Sequence, residues 1–550
     1  MKIRHAIFMA AGILLFAYRQ PIRAQKNDKV IDENIIGFNW NKPDRIDWFN
    51  TLGMGMFVHF GVDAPLGIVI SHSLVGASED YLQRYFYQLP QYFNPYNYNP
   101  QEMARLAKLA GMQYVILTTK HHSGFCLWDT RTTDFNVMHT PYHKDMLKEY
   151  VEAVRAEGLG VGFYYSPEDF FFLYRHHQPI NRFFDDWTPE LRKQFDDFTR
   201  QQCEELMTNY GKIDLLFIDG EPKDVVKKTC WTLQPDLVIT RGAMKTPEQT
   251  LPGQKTTPPW LSCITIGSSW QYQPTNNIYK TGNQLIRLAI DTRSKGGSLL
   301  MNVGPRPDGS IGGEEESRLR ELAAWYFANH ACMDSVQSWI VNHEADTWFT
   351  MSTDSSCVYA VITDIDGWNE GERKSRVFHS VMATKATQIE VLGQNGKEIE
   401  YKTMDVSPRW EDRPDGIAIS VVRSQRLYDN HKWPNPVVVK LTNVVPRVRH
   451  VPIVETMAPV RTKAFTILRG KIYDAGTSHR PRIAYFQYRE KKDHLESLYD
   501  NKWHALSNAK IGKDGIFTMR LPAALQNNPI EIKAVAIYEF LSIEGDSVSL

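Results

Sequence analysis

Cysteine is scarce in this 550-residue chain, and the six present (Cys126, Cys203, Cys230, Cys263, Cys332 and Cys357) stand far apart. They have neither metal-ligand spacing nor the density of a disulfide framework, so they read as mostly buried free thiols. An excess of charge of either sign is also missing, with Lys plus Arg and Asp plus Glu both at 63. That balance argues against nucleic acid or an acidic membrane surface as partner. Beyond the N-terminal segment no apolar run approaches the length of a membrane span. No Gly-x-Gly-x-x-Gly opens the first strand–helix unit, and no His-x-His or His-Glu-x-x-His occurs. Internal repeats and low-complexity tracts are absent as well. No cofactor is expected from these patterns.

The N-terminus is distinctive. Lys2, Arg4 and His5 precede an apolar run from Ala6 to Tyr18, and Ile22-Arg-Ala24 offers a small residue for cleavage. This is the layout of a secretory signal peptide, residues 1–24, and it implies an exported protein, periplasmic or secreted.

From about residue 45 to 340, short apolar runs alternate with longer amphipathic segments. The expected strands are Gly55–Gly61, Tyr114–Thr119, Gly160–Tyr165, Ile213–Asp219, Leu237–Arg241, Cys263–Gly267 and Ser298–Val303. Helical periodicity fills the gaps, as in Asp145–Glu157 and Gly282–Lys295, and Glu314–Asn329 opens on three glutamates that suit a helix N-terminus. Serial β–α units argue a parallel α/β fold, with a TIM-like (β/α) barrel over 25–344. Beyond it the helices stop, and short strands separated by turn residues imply a β-sandwich over 345–450. Val451–Pro459 reads as a linker into a second, immunoglobulin-like sandwich over 451–550.

In such a barrel the chemistry belongs at the C-terminal ends of the strands. Ile213-Asp-Leu-Leu-Phe-Ile-Asp219-Gly-Glu221 ends a buried strand in an acid, which is either a working carboxylate or a turn residue. Three other strand ends carry polar groups: His59, then Lys120-His121-His122, then Tyr165-Ser166-Pro-Glu168. A single strand histidine is more often a satisfied core group, but three at adjacent strand ends suit a ligand with many hydroxyls. A zinc site built from His59, His121, His122 and Asp219 is disfavoured, because neighbours on a strand point to opposite faces. The 14 Trp and 25 Tyr hint at sugar stacking but also fill cores.

These stretches resemble glycoside hydrolase family 29, the exo-acting α-L-fucosidases. The resemblance rests on Trp48-Phe49, Gly53–Gly61, Tyr114–Thr130, Gly162–Ser166, Asp219-Gly-Glu221 and Gly297–Gly309, and covers about residues 45–340. It implies a retaining hydrolase with Asp219 as nucleophile and a fucosylated oligosaccharide or glycoconjugate as substrate. Such a mechanism needs a second carboxyl about 5 Å away to protonate the leaving oxygen and then activate water. Glu248, in Lys245-Thr-Pro-Glu248-Gln, resembles the family's Thr-Pro-Glu segment and is the candidate acid/base, with Glu221 as rival. By the same resemblance His59, Glu79, His121, His122, Trp128, Tyr165, Arg241 and Trp270 are expected around the sugar. Departures from the family pattern fall at Asp80, where a tryptophan is expected, at Leu261, where many members have Glu, and at Trp270-Gln271-Tyr272. They leave open a related sugar such as α-L-galactose or a modified fucose, and a carbohydrate-binding protein that has lost its acid.

Overall fold

The computed structural model describes residues 40–182, 187–275, 277–399, 402–424, 435–462, 465–474, 476–477, 479–491 and 502–550. The expected signal peptide lies outside the described residues.

Seven parallel strands build the first sheet: β1 (Met54–Val58), β2 (Tyr114–Lys120), β3 (Gly160–Tyr165), β4 (Leu215–Ile218), β5 (Val238–Ile239), β6 (Leu261–Thr265) and β7 (Ser298–Val303). They lie in the order β5-β4-β3-β2-β1-β7-β6. Nearly every strand residue is buried, because both faces of the sheet are covered. Alternate residues divide between two cores. Phe57, Tyr164, Leu215 and Phe217 turn into the hollow of the sheet. Met56, Val58, Tyr165, Leu216 and Ile218 pack outward, in the core that the surrounding helices share. Helix starts are fixed by side chains that accept first-turn N–H groups, among them Asn99, Asp145 and Thr188. Thr281 and Gln284 form a reciprocal capping box.

The barrel is not fully closed. The sheet is a curled parallel half-barrel in which, among the strands of the described residues, β5 pairs with β4 alone and β6 with β7 alone. After the two residues of β5 the chain turns at Gly242, whose φ is +104°. Isolated bridges from Lys245 to Trp260 and from Glu248 to Cys263 then lay the following loop along β6. Glu248 therefore enters the gap between β5 and β6.

Antiparallel strands begin at Val336, inside the range expected for the barrel. A five-stranded sheet (388–391, 437–442, 357–362, 347–352, 336–344) and a three-stranded sheet (373–378, 416–422, 409–413) share one core. The segment expected as a linker is instead a strand, Ile453–Arg461, paired with Thr466–Tyr473. Val454 packs into the last core, and a register shift between Met457 and Val460 accommodates Pro459, which has no N–H to offer the ladder. No helix among the described residues is long and apolar enough to cross a membrane. Five of the cysteines are buried and Cys357 is half-buried, all free thiols.

Candidate active site

Asp219 leaves the end of β4 and is followed by Gly220, whose φ of +117° is one that side chains rarely adopt. A Cβ at position 220 would also come within 2.5 Å of Glu168 Oε1. Glycine thus turns the chain off the strand and leaves room for a second carboxylate beside it.

The Asp219 carboxylate is surrounded by donors. Its Oδ2 accepts from the Tyr164 hydroxyl at 3.0 Å and lies 3.7 Å from His122 Nε2. Its Oδ1 faces Arg182 Nη2 at 3.4 Å and Arg241 Nη1 at 3.5 Å. Each guanidinium also holds a glutamate. Arg241 Nη2 donates to Glu248 Oε2 at 2.9 Å, and Arg182 Nε donates to Glu168 Oε2 at 2.5 Å. Burial works against the Arg241 charge, yet Cys263, Asp219 and Glu248 raise its pKa overall. Glu248 keeps 26% of its side chain exposed, whereas Glu168 keeps 4%. Arg182, Asp219, Glu221, Arg241, Met244 and Thr246 line a cavity of about 220 Å³.

Three buried imidazoles stand beside this centre, each anchored through Nδ1. His59 pairs with Asn302 Oδ1 at 2.6 Å, His121 with Ser71 Oγ at 2.9 Å and His122 with Ser166 Oγ at 2.7 Å. The Asn302 amide nitrogen donates to the Trp270 carbonyl, so its oxygen is the end that receives the His59 N–H. Burial lowers the His59 pKa to about 4 and holds that of His121 well below the usual imidazole range. The His59 ring, neutral and with its Nδ1–H on Asn302, directs Nε2 as an acceptor, while His121 and His122 rest on serine hydroxyls that either donate or accept, a set that suits sugar hydroxyls. Trp270 covers His59, with ring centroids 4.9 Å apart.

His121 and His122 do not point to opposite faces, as neighbours on a strand would. β2 ends at Lys120, so His121 and His122 lie in the turn beyond it and their rings are 4.2 Å apart. Ligand atoms of His121, His122 and Asp219 lie within 4.8 Å of one another. The Nδ1 anchors on serine hydroxyls leave this group equally able to bind hydroxyls.

Two expected sugar contacts point elsewhere. Tyr165 turns outward and donates to Gln202 Oε1 at 2.8 Å, because alternation along β3 places Tyr164 on the Asp219 side. Trp128 is fully buried in the outer core, and its Nε1 donates to Glu205 at 2.9 Å. Glu79 is exposed at a helix start and accepts from Tyr174 at 2.6 Å. Glu221 has 53% of its side chain exposed and pairs with Lys223. Leu261 is buried in β6, and Asp80 pairs with Arg84 on the surface. Arg182 had no sequence signal, since it lies in a loop with no recognisable pattern. Tyr164 carried no signal of its own, because alternation along β3 separates it from Tyr165 without saying which of the two faces inward.

A curled parallel α/β half-barrel with carboxylates, guanidiniums and fixed imidazoles at its strand ends has the make-up of a glycoside hydrolase. The family model described as alpha-L-fucosidase matches residues 24–331, more than half of the chain. The chain belongs to this family, glycoside hydrolase family 29. Rat plasma alpha-L-fucosidase is 27% identical over 370 residues, covering 61% of this chain and 75% of the relative. Human plasma alpha-L-fucosidase is 26% identical over 405 residues, covering 65% and 83%. Among solved structures, alpha-L-fucosidase isoenzyme 1 from Paenibacillus thiaminolyticus superposes with a TM-score of 0.55 at 29% identity, over 72% of this chain and 98% of that one. A Bacteroides thetaiotaomicron GH29 alpha-L-fucosidase trapped as a covalent intermediate gives 0.59 at 21% identity, over 74% and 98%, a likeness of fold.

Proposed function

We propose that this chain is an exported, retaining α-L-fucosidase that removes terminal α-L-fucose from oligosaccharides or glycoconjugates. One observation carries the reading: the guanidinium of Arg241 touches both Asp219 and Glu248. Two carboxyls on one guanidinium are close neighbours, as a retaining pair about 5 Å apart requires. Asp219 attacks the anomeric carbon while Glu248 gives its proton to the departing glycosidic oxygen. A β-linked fucosyl ester forms as the aglycone alcohol leaves. Glu248 then takes a proton from water, whose oxygen displaces Asp219 and restores the α configuration. His59, His121 and His122 hydrogen-bond the sugar hydroxyls, Arg241 braces both carboxyls and Trp270 closes one side. Glu79 belongs further out, and Tyr165 and Trp128 act through packing. The barrel carries the reaction, and the sandwiches whose strands begin at Val336 and Ile453 brace it.

Asp219→Ala is expected to remove nearly all turnover of an aryl α-L-fucoside, with azide giving the β-fucosyl azide. Glu248→Ala is expected to keep activity on an aryl fucoside with a good leaving group, with azide giving the α-fucosyl azide. The opposite pairing of products would overturn the two roles. An α-L-galactoside in the same panel tests sugar choice. N-terminal sequencing of protein recovered outside the cytoplasm tests cleavage after Ala24.

A further inference from the structure

We propose that the junction between the barrel and its two sandwiches holds a second, non-catalytic site for an organic carboxylate with an apolar face, the chemistry of a glycuronic acid. The site does not depend on the fucosidase reading, and a binding measurement tests it separately.

Three parts of the chain enclose a cavity of about 420 Å³ there, within the roughly 300–1,000 Å³ usual for small-molecule sites. Residues between 253 and 258 come from the loop that carries Glu248, 340–343 from the first sandwich, and 451–453 with 542–544 from the second. The walls are fixed against one another. Gln254 Nε2 donates to the Val454 carbonyl at 2.5 Å, and a Cβ at Gly253 would come within 2.7 Å of Asp546 Oδ1. Lys255 Nζ donates to the Trp339 carbonyl at 3.2 Å.

The strand Val336–Glu344 departs from its ladder at this place. Ser338 lies opposite Thr350, yet the next pair is His343 opposite Trp348, so residues 339–342 bow out of the sheet. Trp339 and Val341 return to the sandwich core, while Asn342 lines the cavity. Asn342 Nδ2 and His343 Nδ1 are buried and have no hydrogen-bond partner among the described residues. Buried polar atoms are nearly always paired, so two such atoms on one cavity wall call for a ligand that pairs them.

Charge selects the sign of that ligand. Glu544 also lines the cavity, but its Oε2 meets Lys533 Nζ at 2.5 Å and lies 3.5 Å from His343 Nε2. Burial opposes the charge on this carboxylate, yet His343 and Lys533 outweigh it and hold the pKa at about 2. Lys255 has no such counterpart. Its stem is exposed at the rim while its ammonium turns inward, where burial lowers its pKa and no carboxylate among the described residues restores it. The remaining ammonium protons and the Asn342 amide are donors that a carboxylate would meet, answering the one uncompensated charge. Ile340, Val451, Pro452 and Ile453 form the apolar side, which favours a carboxylate on a ring or a short aliphatic body over a bare inorganic anion.

The test uses calorimetry and ligand-observed NMR on the full-length protein with methyl β-D-glucuronide, butyrate and the neutral methyl β-D-glucoside. The glucuronide should bind, and the glucoside should bind about tenfold more weakly or not at all, because it brings no charge to Lys255. Lys255→Met should weaken glucuronide binding about tenfold at a similar Tm, since the exposed stem carries little packing. Butyrate binding as tightly as the glucuronide supports the site and makes free carboxylic acids its source, whereas weaker butyrate binding supports it with an acidic sugar as the source. Failure of both carboxylates to bind at millimolar concentration, equal affinity for the neutral glucoside, or glucuronide binding that survives Lys255→Met overturns the proposal.

Discussion

The hydroxyl of Tyr164 donates to Asp219 Oδ2 at 3.0 Å, while that of Tyr165, the next residue on the same strand, donates to Gln202 at 2.8 Å. The first bond touches a charged carboxylate, and such bonds contribute about 1.5–3 kcal/mol. Tyr164→Phe should therefore lower kcat on an aryl fucoside by roughly 10- to 100-fold if that bond persists in the transition state. Tyr165→Phe should leave kcat near wild type and cost about 1 kcal/mol in urea unfolding. Reversal of the two effects would contradict the inward placement of Tyr164.

Glu168 is buried against Arg182 and lies 3.2 Å from His122 Nδ1. Removing one member of a buried ion pair leaves the other without compensation. Arg182 retains 24% side-chain exposure, so water offsets part of that loss. Glu168→Ala should cost about 2 kcal/mol of stability and also lower kcat, because Arg182 and His122 both face Asp219. Urea unfolding and steady-state kinetics on the same preparation read the two effects. A stability loss with unchanged kcat would confine Glu168 to folding.

His59 supplies a pH dependence of stability. Burial lowers its pKa from 6.5 to about 4 in the folded chain. Between these values the unfolded chain binds the proton and the folded one does not, so stability falls with acidification across that window. The contribution is present above pH 6.5 and its loss is complete below about pH 4, a change of roughly 3 kcal/mol. His59→Gln should flatten the stability profile measured by urea unfolding from pH 7 to pH 4.5. An unaltered slope would show that His59 titrates normally.

Glu315 works in the opposite direction. Burial raises its pKa to about 8, and its Oε1 accepts from the Gly304 N–H at 3.0 Å just beyond β7. Its folded pKa exceeds the unfolded one, so the stability it contributes is present below pH 4.5 and is lost as pH rises through 8. Glu315→Gln keeps the acceptor and removes the titration. The variant should have a higher Tm than wild type at pH 8.5, with a gain on the order of 4 kcal/mol, and little difference at pH 4.5. Equal melting temperatures at pH 8.5 would mean that the carboxyl ionises without penalty.

Much of the fold was legible because burial on both faces of a parallel sheet writes continuous apolar runs into the sequence. Met54–Val58 and Ser298–Val303 are such runs and became strands. His504–Ala509 has no such run, although it is a paired strand. Val451–Pro459 looked like a linker because its prolines outweighed the alternation of Val454 and Thr456, which the sheet uses. At the site, Asp219, His59, His121 and His122 were legible as polar residues where apolar runs stop.

By itself the sequence determined the family, the parallel α/β core and the strand ends at which polar residues gather, since these follow from local periodicity and short motifs. Tertiary structure alone decided which side each strand residue faces, and so put Tyr164 rather than Tyr165 against Asp219. It also brought Arg182 and Glu168 to the centre and seated Glu248 in the open seam of the barrel. The reason is geometric: these contacts join residues far apart in the chain, and the curl of the sheet sets their distances.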